Sequence, residues 1–495
     1  MSEIKDIQQH PKVEIAVENF GPIAEASIDL RPLTVFIGPS NTGKTYFATL
    51  VYALHGAFND LSHSSILSPL VESETVVDIL SELLTGLTTP KGEIQEILNK
   101  LNIVERPFKL SDLSKEIRQK LGTITKDKDF FREELRNEIK NCFDLNSISK
   151  LMRLTGEQHN KLIVLLKVDE RIQAYWRISL RYSEAEVDLD NFLFSLDSPT
   201  YDDMILLPKG WSASGELLVD DNRVLIRNFD YPLAQSRYYL PAARSGIMQS
   251  HRIIASSLVK QATRVGMERS SELPTMSGIM ADFIERIILY EEGKVSNDEM
   301  KHLAETLESD VLAGQILLKP TPSGYPDFRY RPHGIEEDIR LNQTSSMVSE
   351  LAPLVLFLRS LVNPGDTLII EEPEAHLHPG AQADMAVILA RLVRAGVKVI
   401  ITTHSDWMLQ EIGNLIRAGE LEKVGKEVSN LPISLQEEDV GVWHFQKSGK
   451  VEEIPYDRIN GVEPMEYLDV AEDLYNRSAR LQNRLEEVKD DSARE

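Results

Sequence analysis

Residues Gly38 to Thr45 read Gly-Pro-Ser-Asn-Thr-Gly-Lys-Thr, a complete G-x-x-x-x-G-K-[ST] loop. The apolar run Leu33-Thr34-Val35-Phe36-Ile37 precedes it, and Phe47, Leu50, Val51 and Leu54 follow at i, i+3, i+4 and i+7, the spacing of one helix face. This context constrains the fold more than the letters do. A buried strand must deliver the loop and a helix must leave it, so that backbone N–H groups and the positive helix end surround a triphosphate. Gly38 and Gly43 let the chain turn tightly around phosphate oxygens, with Asn41 and Thr42 in the cradle between them. Lys44 reaches the β- and γ-phosphates, and the Thr45 hydroxyl is a ligand for Mg²⁺. The sequence therefore predicts a nucleotide site.

A chain of 495 residues has length for two or three domains, and its 42% hydrophobic and 27% charged residues are ordinary for a globular protein. No apolar stretch approaches a membrane span, the N-terminus has no signal-peptide character, and Cys142 is the single cysteine. A disulfide framework and a cysteine-rich zinc site are excluded, and a cytoplasmic location with no membrane partner is expected. The net charge of −24 argues against a surface that binds polyanions everywhere. Basic residues do cluster locally: residues 101–182 hold 17 Lys and Arg against 12 Asp and Glu. From Tyr231 to Met267 no acidic residue interrupts Arg237, Arg244, Arg252, Lys260 and Arg264. That stretch suits a solvated helix face and a nucleic-acid contact equally well.

The chain reads as α/β. Val13, Ile15 and Val17 alternate with polar residues, as do Ile28 and Leu30 after Gly21-Pro22, which predicts a hairpin beside the strand feeding the loop. Leu- and Ile-rich helical patterns then run through Ile79-Leu80, Ile94–Leu101, Leu113–Leu121 and Phe130–Phe143. Short β-like runs return at Glu216–Val219, Arg223–Ile226 and Tyr238-Tyr239-Leu240. A mainly helical insertion is thus expected at 56–210, between an N-terminal part of the nucleotide-binding domain at 1–55 and its remainder at 211–440. A second mainly helical stretch covers Ile247 to Leu318. Thr367–Ile370 and Val397–Ile401 look like buried parallel strands, joined by a crossover helix marked by Ala381, Met385, Ile388 and Leu392. Residues 441–495 are expected to hold a short β section, Val442–Phe445 and Val451–Ile454, and a C-terminal helix. Leu474, Leu481, Leu485 and Val488 form a stripe on that helix, which is expected to dock on its own core.

Ile369-Ile370-Glu371-Glu372-Pro373 places two carboxylates at the carboxyl end of a buried strand, where an open parallel sheet meets its ligand. One carboxylate can organise Mg²⁺ and the other can position or deprotonate an attacking water. Successive strand residues point to opposite sides, which supports that division. His404 ends the next strand, in Ile401-Thr402-Thr403-His404-Ser405, where an imidazole can bond a γ-phosphate or orient the water.

The Gly38–Thr45 loop, Leu368 to Pro379 (Leu-Ile-Ile-Glu-Glu-Pro-Glu-Ala-His-Leu-His-Pro) and Ile401 to Ser405 together resemble the ABC-type P-loop ATPases of the OLD/SMC-related, AAA-like group. Val17 to Ile23 and Tyr239 to Ser245 resemble the same group. The resemblance touches most of 12–55 and 237–475 and implies an ATPase head with a mixed or parallel sheet. It implies ATP and Mg²⁺ as ligands, Glu371 at the metal-organising position, Glu372 as the catalytic base and His404 as the switch histidine. Ala375–His378 would address the opposite protomer. Ser345 and Ser346, in Thr344–Glu350, stand where the family's signature motif caps the partner's nucleotide, although Met347 replaces an expected glycine. Gln249 is a candidate for the family's glutamine loop.

A site split in this way implies a homodimer, or an oligomer built from dimers, that works as an ATP-dependent switch. OLD nucleases carry a Toprim domain, and no such acidic set follows His404, so no nuclease site of its own is expected. The resemblance extends to the stand-alone ATPases of the Septu and PARIS phage-defence systems. It therefore implies a sensor and scaffold for a separate effector, a nuclease or toxin. The alternative is an SMC-like ATPase in DNA repair or chromosome maintenance, with the five cations from Arg237 to Arg264 contacting DNA.

Overall fold

The computed structural model describes residues 12–63, 108–109, 128–153, 161–168, 172–181, 184–194, 205–206, 233, 235–262, 276–291, 297–319, 326–426, 433–462 and 465–492. In chain order, β1 (Val13–Phe20), β2 (Ile23–Leu30) and β3 (Leu33–Ile37) lead through the phosphate loop into α1 (Lys44–His63). Then come β4 (Phe108–Lys109), α2 (Lys128–Cys142), β5 (Lys161–Val168), β6 (Ile172–Arg181), β7 (Glu184–Phe194) and β8 (Ile205–Leu206). Next are β9 (Arg237–Leu240), α3 (Arg244–Ala262), α4 (Gly278–Ile288), α5 (Asp298–Leu307), β10 (Gly314–Lys319), β11 (Asp327–Pro332) and β12 (Ile339–Arg340). The rest is α6 (Ser346–Ser360), β13 (Thr367–Glu371), α7 (Pro379–Arg394), β14 (Lys398–Thr402), α8 (Asp406–Lys423), β15 (Val440–Phe445), β16 (Val451–Glu453) and α9 (Met465–Ser492).

Two compact units emerge. One comprises Met1–Leu30, Tyr46–Arg237 and Leu273–Ala281; the other comprises Arg31–Thr45, Tyr238–Glu272 and Asp282–Glu495. The first is built on an antiparallel sheet of order β2-β1-β5-β6-β7. The predicted hairpin is present, with Val13 opposite Leu30 and Phe20 opposite Ile23. Its open edge is taken by β5 rather than by β3, which belongs to another sheet.

Residues 161–194 correct the expectation of a mainly helical insertion. They form three antiparallel strands, whereas α2 matches the helix expected over Phe130–Phe143. Leu162, Val164 and Leu166 are buried at alternate positions, the period of a strand. Richness in Leu and Ile carries no period and does not by itself distinguish a strand from a helix. The helical runs expected at 79–80, 94–101 and 113–121, and the β runs at 216–219 and 223–226, lie outside the described residues.

The second unit carries the sheet that matters for the loop, in the order β16-β15-β3-β14-β13-β9. β13 is parallel to β14, β14 to β3, and β3 to β15, while β16 turns back antiparallel. Every residue of β3 and β13 is buried, as befits parallel strands covered on both faces. Each Ile, Leu or Val sealed there contributes about 1.5–3 kcal/mol. α7 is the expected crossover helix and buries Met385, Ile388 and Leu392. A smaller antiparallel sheet, β10-β11-β12, follows α5 within this unit.

The C-terminal helix forms as expected, but its stripe is not docked: Leu474, Leu481 and Leu485 remain 55%, 56% and 65% exposed. Docking needs a matching apolar surface, and the sequence of the helix cannot supply that.

Candidate nucleotide site

Parallel alignment brings the carboxyl ends of β3, β14 and β13 side by side: Thr402 pairs with Phe36 on one side and with Glu371 on the other. The phosphate loop leaves β3, the Thr403-His404-Ser405 turn leaves β14 and the Glu372–Leu377 turn leaves β13. Three loops distant in sequence therefore share one sheet edge, the position where open α/β sheets bind ligands.

The loop requires its glycines. Gly38 has φ +129 and Gly43 φ +108, while Asn41 takes the left-handed conformation at φ +65. A Cβ on Gly38 would collide with the carbonyl oxygen of Phe445. The Thr42 hydroxyl donates to the Pro39 carbonyl at 2.8 Å and braces the turn. Lys44 is buried, and its Nζ donates to the Gly38 and Pro39 carbonyls at 2.8 Å each. Burial pushes its pKa down to about 8, against the opposing pull of Glu372 and Glu374. Thr45 is exposed at the start of α1.

Glu371 and Glu372 part company where the strand ends: Glu371 is its last residue, and Glu372 lies beyond it, so strand alternation does not set the direction of Glu372. The Glu371 carboxylate accepts the Tyr239 hydroxyl through Oε1 and the Ala242 N–H through Oε2, at 2.8 Å each. The Glu372 charge instead acts on Lys44 and His404. Its backbone is left-handed at φ +43, an unusual conformation for a residue with a side chain, and costs about 1–3 kcal/mol. The Glu372 N–H donates to the Thr402 carbonyl at 2.8 Å and helps to hold that corner. His404 is exposed, and partial burial together with the Lys44 ammonium lowers its pKa, with Glu372 opposing. Its neutral form, able to donate and accept, is favoured at neutral pH.

Sequence reasoning gave Glu374 no role, yet it organises the site. Its Oε1 accepts the Thr403 hydroxyl at 2.8 Å and the His404 N–H at 2.7 Å, and its pKa is raised, above all by burial. Gln382 of α7 accepts the Ser405 hydroxyl at 2.5 Å, and Ser405 also caps α8 by accepting the Met408 N–H. The position of Glu374, two residues beyond Glu372, was visible in the sequence; the folded path of the 403–405 turn was not.

Ser345 and Ser346 are exposed at the head of α6, where the Ser345 hydroxyl caps the helix by accepting the Val348 N–H. None of their hydrogen bonds reaches the Lys44 loop. Gln249 donates to the Ser349 hydroxyl at 3.3 Å, one turn further along α6.

The residues fit a magnesium nucleotide. Thr45, Glu371 and Glu372 are hard oxygen donors, and Lys44 and the loop amides suit phosphate. Among the described residues no three His, Cys, Asp or Glu side chains converge on one metal position. Mg²⁺ needs no such cage, because it is usually held by one or two protein oxygens plus phosphates and water.

The proposed basic surface is corrected at two positions. Arg237 pairs with Glu138 and lies over the Tyr52 ring, 4.0 Å from its centroid, while Arg244 is 1% exposed. Both cations serve the interior. Burial was invisible in a list of charges along the chain.

Fold and site together define a P-loop ATPase of α/β architecture. The model of the AAA ATPase domain family matches residues 13–409, and the chain belongs to that family. No curated protein matches the chain. Solved structures similar to it include an Smc head bound to the C-winged-helix domain of ScpA, at 10% identity and TM-score 0.39, covering 90% of this chain and 97% of that one. The SMC head domain from Thermotoga maritima gives 10% identity and TM-score 0.34, covering 91% and 100%. An Smc head with an extended coiled coil, bound to the C-terminal domain of ScpA derived from Pyrococcus furiosus, gives 9% and 0.36, covering 94% and 100%. No helix among the described residues is long and apolar enough to cross a membrane.

Proposed function

We propose that this ATPase is an ABC-type dimerising switch that hydrolyses Mg-ATP and governs a separate effector in anti-phage defence. The observation that carries the ATPase chemistry is the alignment of β3, β14 and β13, which brings the Lys44 loop, the His404 turn and the Glu372 turn to one end of the sheet. In this reading Gly38, Asn41, Thr42, Gly43 and Lys44 hold the phosphates. Thr45 and the free lone pairs of Glu371 hold Mg²⁺, which supplies charge neutralisation on the phosphate oxygens when bound. Glu372 accepts the proton of the attacking water. Neutral His404 orients that water or bonds the γ-phosphate.

The dimeric reading draws support from the exposed head of α6. Ser345 and Ser346 present a helix N-terminus, suited to capping an anion, away from any bond to their own loop. A partner's phosphate would complete the interaction, so ATP joins two protomers and hydrolysis releases them. Light scattering of a Glu372→Gln protein tests this: ATP should accumulate the larger species, and no ATP-dependent change in size counts against the switch.

The effector role rests on the resemblance to the ATPases of Septu and PARIS systems. Co-purification with the product of a neighbouring nuclease or toxin gene tests it; an ATPase that purifies without that product, and protects no cell from phage, refutes it. The DNA-contact reading is weakened by the interior positions of Arg237 and Arg244. Binding to duplex DNA that falls steeply with salt would restore it.

A further inference from the structure

Arg244, at the start of α3, is among the largest fully buried side chains described, and it binds no predicted ligand. Its guanidinium is nearly saturated by backbone. Nε donates to the Glu350 carbonyl at 3.1 Å, and Nη1 donates to the carbonyls of Pro241 at 3.1 Å and Glu371 at 2.5 Å. Nη2 donates to the Glu372 carbonyl at 3.0 Å and lies 3.0 Å from the Glu350 carboxylate. Both partners of that ion pair are 1% exposed.

One planar cation thus fastens three pieces of chain. They are the turn after β9, helix α6 with Ser345 and Ser346 at its head, and the corner carrying Glu371 and Glu372. The corner needs fastening, because Glu372 sits at φ +43 and a side chain there relaxes unless its surroundings over-determine it. A buried ion pair is poor evidence for stability, since apolar residues of similar volume often replace one at no loss. Its better-attested use is to specify geometry. Arg suits that use, because its rigid fork satisfies several acceptors at fixed angles, which Lys cannot do.

We infer that Arg244 is a positioning residue for hydrolysis: with Glu350 it holds the strained Glu372 corner, and it ties that corner to the seating of the Ser345–Ser346 helix. Hydrolytic competence then depends on how α6 is seated, although neither Arg244 nor Glu350 touches nucleotide. This inference rests on the assignment of Glu372 as the base proposed above.

The test is steady-state ATP hydrolysis by full-length protein, with nucleotide affinity and thermal unfolding measured in parallel. Arg244→Lys keeps the charge opposite Glu350 but loses the fork. It should lower kcat about tenfold or more while leaving KM and the affinity for a fluorescent ATP analogue within about twofold. The double variant Arg244→Met/Glu350→Leu removes the buried charges together; it should melt below wild type, because four carbonyls lose their donor, while its folded fraction binds the ATP analogue within about twofold of wild type with kcat reduced at least as far. Hydroxide-dependent turnover gives a further readout: if Glu372 is misplaced as a base, the residual rate of Arg244→Lys should rise with pH more steeply than wild type. Wild-type kcat in Arg244→Lys, or a kcat loss matched by an equal loss of nucleotide affinity, overturns the inference. A Glu372→Gln control separates the two readings: if that variant turns over normally, the assignment of the base has failed instead.

Discussion

The carboxylate of Glu374 accepts the backbone N–H of His404 at 2.7 Å, so a side chain from the β13 turn sets the path of the β14 turn. The same oxygen takes the Thr403 hydroxyl at 2.8 Å. Truncation removes both bonds and leaves two donors without their partner. Glu374→Ala should cost about 2–4 kcal/mol and lower turnover, because the His404 loop is freed. Glu374→Gln keeps an acceptor oxygen in place and should lose less than half as much stability. Chemical denaturation of the two variants checks the order; equal losses would remove the Glu374–His404 bond from the account.

Lys44 gives a prediction with a definite sign. Its pKa is lowered by burial to about 8, so the free protein carries the ammonium below that pH and loses it above. A bound polyphosphate favours the charged form and raises the pKa again. Affinity for ATP should therefore be level up to pH 8 and weaken by about tenfold per pH unit above it, with proton uptake on binding. Titrations of a fluorescent ATP analogue from pH 7 to 9.5 measure this, and a flat profile contradicts it. Lys44→Ala should abolish tight binding and turnover at every pH.

Gly38 tolerates no side chain. A Cβ would overlap the Phe445 carbonyl oxygen, and φ +129 is costly for any other residue. Gly38→Ala should destabilise the protein by about 3 kcal/mol or more, since steric overlap and backbone strain act together. It should also prevent nucleotide binding, because the strand–loop junction must shift. Wild-type melting and binding in the Gly38→Ala variant would contradict the close approach of β15 to the loop.

Glu308 separates stability from function. Its carboxylate accepts the Ile316 N–H at 2.5 Å and pairs with Arg359 at 2.6 Å, at 4% exposure. Glu308→Ala leaves a largely buried guanidinium without this carboxylate and should cost about 3–5 kcal/mol. ATP affinity of the folded fraction should stay the same. A loss of affinity without a loss of stability would show that this pair acts on the nucleotide site.

Much of the site was legible because its signals are local. The loop from Gly38 to Thr45, the burial of β3, and the apolar β13 and β14 are written in contiguous residues with a clear period. The division between Glu371 and Glu372 does not follow from strand alternation, because Glu372 lies past the end of the strand at φ +43. Composition without period does not reveal the strands at 161–194, and charge without burial does not reveal the interior positions of Arg237 and Arg244. At α9 the stripe of Leu474, Leu481 and Leu485 stays exposed, because a stripe on one helix does not specify the surface that would cover it.

The sequence by itself determined that a buried strand, a glycine-bearing phosphate loop and a helix follow one another, and that carboxylates and a histidine end two further strands. Those are properties of neighbouring residues and of period. Only the tertiary structure decided the partners: Glu374 with His404, Arg244 with Glu350 and the Glu372 corner, Glu371 with Tyr239. Such pairs join residues up to 132 positions apart, and their geometry is set by how strands, turns and helices pack around the sheet. Chain spacing holds no record of that packing until the domain has folded.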